Sequence, residues 1–187
     1  MRALLVGLTL AFGLCGQETT LVFAPNETTI HWTLGTLVHT VHGSFQLREG
    51  TVRFDRATGK AAGEIVVDAL SGESGNSSRD SKMHSSVLES KKFPVVVFRP
   101  DHVNGQIPAQ GAGKLDIHGT FELHGTGHEF TLPVEVEVQT GQIGVKSEFR
   151  VPYIQWGLKN PSTFILRVDD SVVIDLEAKG MARDGSK

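Results

Sequence analysis

Eight consecutive residues, Leu132-Pro133-Val134-Glu135-Val136-Glu137-Val138-Gln139, alternate an aliphatic side chain with proline or a polar one. Successive side chains of a strand point to opposite faces. The run therefore predicts a sheet with a dry side, made by the four aliphatics, and a wet side carrying both glutamates. The same alternation recurs through most of the chain, and its polar set carries almost all the ionisable groups. Candidate acids, bases and nucleophiles are thereby sorted away from the interior. A sheet wrapped around an apolar inside is equipped to hold something greasy and poorly equipped for chemistry.

The first residues read as an address. Met1-Arg2 gives a short positive start, and Ala3 to Leu14 is an apolar run broken by Gly7, Thr9 and Gly13. This predicts a secretory signal peptide over residues 1–15, too short for the ~20 residues of a spanning helix. Cleavage before Gly16 puts Gly13 and Cys15 at the −3 and −1 positions, and the expected destination is periplasmic or secreted. A lipidated Cys15 would need a small residue before it, where Leu14 stands. The single cysteine lies in this segment, so residues 16–187, read as one domain, have no disulfide to lean on. The formal net charge is −3 with no basic block, which argues against nucleic acid and anionic membrane surfaces as partners.

Strand-like runs include Ile30-Trp32-Leu34, Val41-Gly43-Phe45-Leu47, Val52-Phe54, Ile65-Val67, Val95 to Phe98, Leu115-Ile117 with Phe121-Leu123, and Val172-Ile174-Leu176. Turn chemistry separates them at Glu49-Gly50, Thr58-Gly59, Asn104-Gly105, Gly125 to Gly127 and Gly141. Many antiparallel strands joined by short turns predict an all-β barrel or sandwich. One segment breaks the period. Ser77-Ser78-Arg79-Asp80 fits a capping box, and Met83, His84, Val87 and Leu88 then share a helical stripe that Pro94 ends. A helix over about 78–90 is expected, lying across an opening or edge of the sheet.

Eight histidines invite a metal hypothesis that strand geometry weakens. His39 and His42 point to opposite sides of one strand. His118, Glu122 and His124 share the outer face, but the two histidines lie about 20 Å apart along an extended strand. A zinc site needs ligand atoms ~2 Å from one ion. No G-x-S-x-G elbow, Walker loop or H-E-x-x-H stretch is present. The pairs Asp169-Asp170 and Glu135/Glu137 read as solvated charge, so no catalytic residue, metal or cofactor is expected. Arg79, Asp80 and His84 are the exception, read either as a helix cap with a local ion pair or as a polar cavity mouth suited to a carboxylate or phosphate head. The apolar set Trp32, Val41, Phe45, Phe54, Ile65, Val67, Met83, Phe98, Phe121 and Trp156 is expected to face the interior. An eight-stranded barrel can be filled by such side chains or can hold one ligand, and the sequence leaves both open.

The order of several short motifs resembles the YceI-like family. These are Val41-His42-Gly43-Ser44-Phe45, Gly50-Thr51-Val52-Arg53-Phe54-Asp55, Arg79-Asp80 leading to Phe93-Pro94 and Phe98, Gly113 to Gly119, and Trp156-Gly157-Leu158-Lys159-Asn160. The resemblance runs from about Phe23 to Gly180 and implies a lipocalin-like antiparallel barrel with one short helix near an opening. It also implies an exported, non-catalytic protein binding a polyisoprenoid or another long-chain lipid, quinone-like or fatty-acid derived. Two departures touch the polar end: Ala24-Pro25-Asn26-Glu27-Thr28 replaces the Asp-Pro-x-His-Ser opening, and Lys82 stands where the family commonly has histidine, His84 being shifted from it. Two rival readings remain, a stress-linked or structural module whose outer face meets a membrane redox protein, and a histidine-dependent metal hydrolase. A homodimer is also admitted.

Overall fold

In the computed structural model, which describes residues 18–163 and 167–184, eight strands follow one another in antiparallel order. They are β1 (Glu18–Gly35), β2 (Thr40–Asp55), β3 (Ala61–Glu73), β4 (Val95–Asn104), β5 (Gly111–Leu123), β6 (Thr126–Gln139), β7 (Gln142–Val151) and β8 (Val172–Asp184). β8 pairs back onto β1, so the sheet closes into an up-and-down barrel. Closure removes free sheet edges, which an antiparallel meander otherwise exposes. The expected leader, residues 1–15 with Cys15, lies outside the described residues.

The predicted register holds in β6. Val134 and Val136 are buried, whereas Glu135 and Glu137 are exposed. On the outer face, Lys114, Glu135, Lys146 and Glu177 form a row of alternating charge across β5, β6, β7 and β8, with Lys114–Glu135 at 2.6 Å and Lys146–Glu177 at 2.7 Å. Two sequence expectations need correction. Glu49-Gly50 is no turn: it lies inside β2, just past a register shift at Leu47/Glu49, with Gly50 buried against Phe23 and Ile65. The bulge bends one long strand where two short ones were expected. And Gln142 to Val151, not read as a strand, is β7.

The helical segment is shorter than expected and changes character. α1 covers Ser77–Lys82 and runs into a π-helical turn, Met83–Val87, in which the Leu88 N–H reaches the Met83 carbonyl at 2.9 Å. The cap is Asn76, whose Oδ1 accepts the Arg79 N–H at 3.0 Å. The capping box is therefore not formed; Asp80 instead accepts the Ser74 hydroxyl. Glu89, at φ 46°, ends the segment.

Two apolar clusters occupy the ends of the barrel. At the lower rim, where the short turns 56–60, 105–110 and 140–141 lie, Leu21, Phe54, Val103, Leu115, Val138 and Ile143 pack together. At the upper rim, residues 74–94 and 152–163 come together over Leu123, Val151, Tyr153 and Leu158. Lys82 donates to the Pro161 carbonyl at 3.2 Å, and Tyr153 donates its hydroxyl to the Asp169 carbonyl at 2.7 Å. Burial, with the nearby Asp170 and Asp169 charges, pushes the Tyr153 hydroxyl up to about 12.

The wall is not uniformly zipped. β6 and β7 pair only from Glu135↔Lys146 to Gln139↔Gln142, although β6 begins at Thr126 and β7 continues to Val151. Pro133, the next residue on the β7-facing side, has no N–H to give. Its carbonyl takes the Ser147 hydroxyl at 2.6 Å instead. Beyond that bond the two strands part, and the barrel has a fork in its side.

Candidate functional site: an apolar interior

Glycine shapes the wall made by β1, β2 and β3. Trp32 on β1 points inward opposite Gly43 on β2. A Cβ at Gly43 would sit 2.3 Å from the indole and 2.1 Å from the Glu73 carbonyl oxygen, so only glycine leaves the ring its place. Gly72 does the same for Phe45 and Met83, whose ring and terminal methyl would lie 2.4 and 3.0 Å from a Cβ there. Val41 and Trp32 are buried on this wall, while Phe45 and Val67 are only half-buried.

The facing wall is aromatic. Phe121 of β5, Phe130 of β6, Phe149 of β7 and Trp156 of the upper connection stand with ring centroids 5.4 to 6.3 Å apart, mostly tilted or edge-on. Trp156 lies flat on His128, 4.3 Å away at 3°. All five rings are inward-facing and only half-buried. Phe54 and Phe98 belong to the lower cluster, with Ile65 packed against it, whereas Trp32, Phe45 and Val67 join neither cluster among the described residues. On the aromatic wall, Phe121, Phe130 and Phe149 also pack against the lower cluster, and Phe121, Phe149 and Trp156 against the upper one. Phe130, Phe149 and His128 were missing from the sequence reading; Phe149 went with the unread strand, and Phe130 lies one alternation before the run that begins at Leu132.

Two buried polar atoms on these walls, Trp32 Nε1 and His128 Nε2, have no hydrogen-bond partner among the described residues. A buried N–H without an acceptor costs about 1–3 kcal/mol, so the Trp32 indole sits at a local cost to stability.

The polar mouth expected from Arg79, Asp80 and His84 is mostly structural. His84 has both ring nitrogens occupied, Nδ1 by Ser90 Oγ at 2.9 Å and Nε2 by the Gly72 carbonyl at 2.8 Å. It ties the π-turn to β3. Asp80 is engaged by Ser74, and Arg79 donates Nε to the same Ser74 hydroxyl at 2.8 Å. The terminal guanidinium nitrogens of Arg79 have no partner among the described residues and lie one turn from Met83, on the same stripe.

His118 and His124 are tied into ion pairs, whereas His42 Nδ1 meets the Thr33 hydroxyl at 3.1 Å. His118 donates from Nδ1 to Asp101 at 2.9 Å, with Nε2 3.2 Å from Glu129, and Arg99 pairs with Glu122 at 2.6 Å. Asp101, His118 and Glu129 hold ligand-type atoms within 4.8 Å of one another. Each imidazole nitrogen, however, is directed at a different carboxylate, the arrangement of a clamped imidazolium. His124 bonds Glu89 at 2.7 Å and packs on Phe93.

The model of a YceI-like domain matches residues 21–180. Among solved structures, BcnA of Burkholderia cenocepacia superposes with a TM-score of 0.67 at 16% identity, covering 84% of this chain and 98% of its own. A polyisoprenoid binding domain from Saccharophagus degradans, implicated in plant cell wall breakdown, gives 0.63 at 13%, covering 88% and 98%. The YceI protein of Campylobacter jejuni gives 0.56 at 17%, covering 73% and 80%. No curated protein matches. At these identities the structural likeness speaks for the fold.

Proposed function

This chain belongs to the YceI-like family, and we propose that its barrel binds one long apolar molecule, an isoprenoid, quinone-like lipid or fatty-acid derivative, without transforming it. One observation carries the reading: inward-facing rings on two opposed walls, Phe45 against Phe121, Phe130, Phe149 and Trp156, are only half-buried. A barrel filled by its own side chains would bury them. Each methylene transferred from water contributes about 0.8 kcal/mol, so a long tail binds with little polar recognition. Trp32 Nε1 inside and Arg79 at the upper rim are the groups left for a head. The polyisoprenoid-binding description of the Saccharophagus degradans domain agrees with this ligand class. Lys114, Glu135, Lys146, Glu177, Arg99, Glu122 and His118 on the outer wall are held in ion pairs, which supports a binding role over a catalytic one. With residues 1–15 as a leader, the protein acts outside the cytoplasm, in the periplasm or beyond.

The chain has two tryptophans, and both face the interior. Titration with a bromine-tagged alkyl chain should quench both and saturate at one chain per protein, with Trp32→Phe and Trp156→Phe each leaving the other residue quenchable. Absent or unsaturable quenching would overturn the reading.

A further inference from the structure

The two most exposed large hydrophobic side chains among the described residues are neighbours. Leu37 is 73% exposed and Val38 76%, and they form the tip of the turn between β1 and β2, on the upper rim. Single exposed aliphatics are ordinary on a protein surface; two side by side at a hairpin tip are a feature. The turn is held in shape from within. Thr36 donates its N–H to the His39 carbonyl at 3.0 Å and its hydroxyl to the same oxygen at 2.6 Å. The N–H groups of Val38 and His39 reach Thr36 Oγ1 at 3.4 and 3.1 Å, and that of Leu37 the Arg167 carbonyl at 3.1 Å. All four N–H groups of the turn thus have a protein acceptor, which is what backbone needs before it can leave water. The net charge of −3 argues against attraction of the molecule as a whole to an anionic surface, yet that charge is unevenly spread. In the described upper connections, Arg79, Lys82, Lys91, Lys92, Lys159 and Arg167 outnumber four carboxylates. Of these, Glu89 is paired with His124, Asp80 takes the Ser74 hydroxyl, and Asp169 lies against Gly35 at the base of the hairpin. Arg167 and Lys159 have no ion-pair partner among the described residues. Both stand close to the tip in the bonding scheme: Leu37 bonds the Arg167 backbone, and Ser162, three residues past Lys159, bonds Val168.

We propose that the upper rim docks on a membrane surface containing anionic phospholipid, with Leu37 and Val38 entering the headgroup layer and Arg167 and Lys159 meeting lipid phosphates. This adds a partner to the binding function above and does not rest on it. Two aliphatic side chains on a turn are far too small an area for a stable protein interface, which takes about 800 Å² from each partner. A bilayer needs no matching pocket. Apolar insertion and phosphate attraction are each weak alone and act together, so the docking is reversible and sensitive to salt.

The test is co-sedimentation of the protein with vesicles of phosphatidylcholine alone and of phosphatidylcholine with an equal part of phosphatidylglycerol. Binding to the mixed vesicles should exceed binding to the neutral ones and should fall as salt is raised. Leu37→Ser together with Val38→Ser should weaken it at least about tenfold; both side chains are exposed, so the melting temperature should not move. Arg167→Gln and Lys159→Gln should each weaken it about fivefold, whereas Lys60→Gln, in a turn of the lower rim, should leave it unchanged. Tryptophan quenching by the bromine-tagged alkyl chain should be the same in the serine pair as in the wild type, so that failure of docking and failure of the binding function are read separately. Mixed vesicles that bind no protein would overturn the proposal. So would equal binding of the serine pair and the wild type, which would leave the tip to a protein partner. A loss with Lys60→Gln as large as that with Arg167→Gln would reduce the attraction to overall charge and overturn docking by this rim.

Discussion

Gly43 shows how much one missing Cβ decides. The indole of Trp32 and the Glu73 carbonyl both occupy the volume its side chain would need, so Gly43→Ala should cost about 1–3 kcal/mol through overpacking. A lower denaturant midpoint at unchanged slope would register this, and an unchanged midpoint would mean that the ring has another place to go. His84 shows the opposite lesson. Its position in the sequence, beside Arg79 and Met83, suggested a ligand contact, yet both of its nitrogens hold the π-turn to Ser90 and Gly72. His84→Ala leaves the fully buried Ser90 hydroxyl unpaired and should destabilise by about 1–3 kcal/mol. Relative affinity for ligands with different heads should not change. Helical spacing could place His84 on the right stripe, but the contact to Gly72 spans the barrel rim and leaves no trace in local sequence.

At the scale of the element, periodicity was a good guide wherever a strand had enough aliphatics. β6 reads directly from its alternation. β7 was passed over because its inward row, Ile143, Val145, Ser147, Phe149 and Val151, is interrupted by a hydroxyl, and its outward row includes Gly144. The same serine bonds Pro133 and marks the start of the fork. Proline inside a strand pattern was the available signal for a broken ladder, and it stood in the first run read. The π-turn had no signal of its own. On the outer wall, the hydrogen bond from His118 to Asp101 raises the imidazole above its ordinary value of 6.5, the Asp101 and Glu129 charges adding to it and desolvation opposing. A raised folded value means the clamp stabilises fully below the unfolded histidine value and loses its contribution as pH climbs through the folded one. Melting temperatures measured from pH 6 upward should fall more steeply for the wild type than for His118→Gln. Parallel curves would show that the clamp contributes nothing.

For the whole molecule, closure follows from pattern. An even number of half-apolar strands, most of them joined by short turns, has few ways to bury its dry side, and the barrel is the one adopted. Strand parity turns Trp32, Val41, Phe45, Phe54, Ile65, Val67, Phe98 and Phe121 inward, whereas Met83 and Trp156 come from the two long connections. Which of those residues are fully buried and which stay half-buried could not be read, because both classes are equally apolar and differ only in what packs against them. Phe54 and Phe98 belong to the lower cluster and Phe130 packs against it, whereas Trp32 and Phe45 join neither cluster among the described residues. The central claim is that the barrel interior holds a guest. Native mass spectrometry of gently purified protein, followed by organic extraction and analysis of the released material, addresses it directly. The expected result is a mass above that of the polypeptide by one long-chain molecule, lost on extraction and regained on mixing with it. A protein that is repeatedly empty, and that takes up no apolar chain when offered one, would contradict the claim.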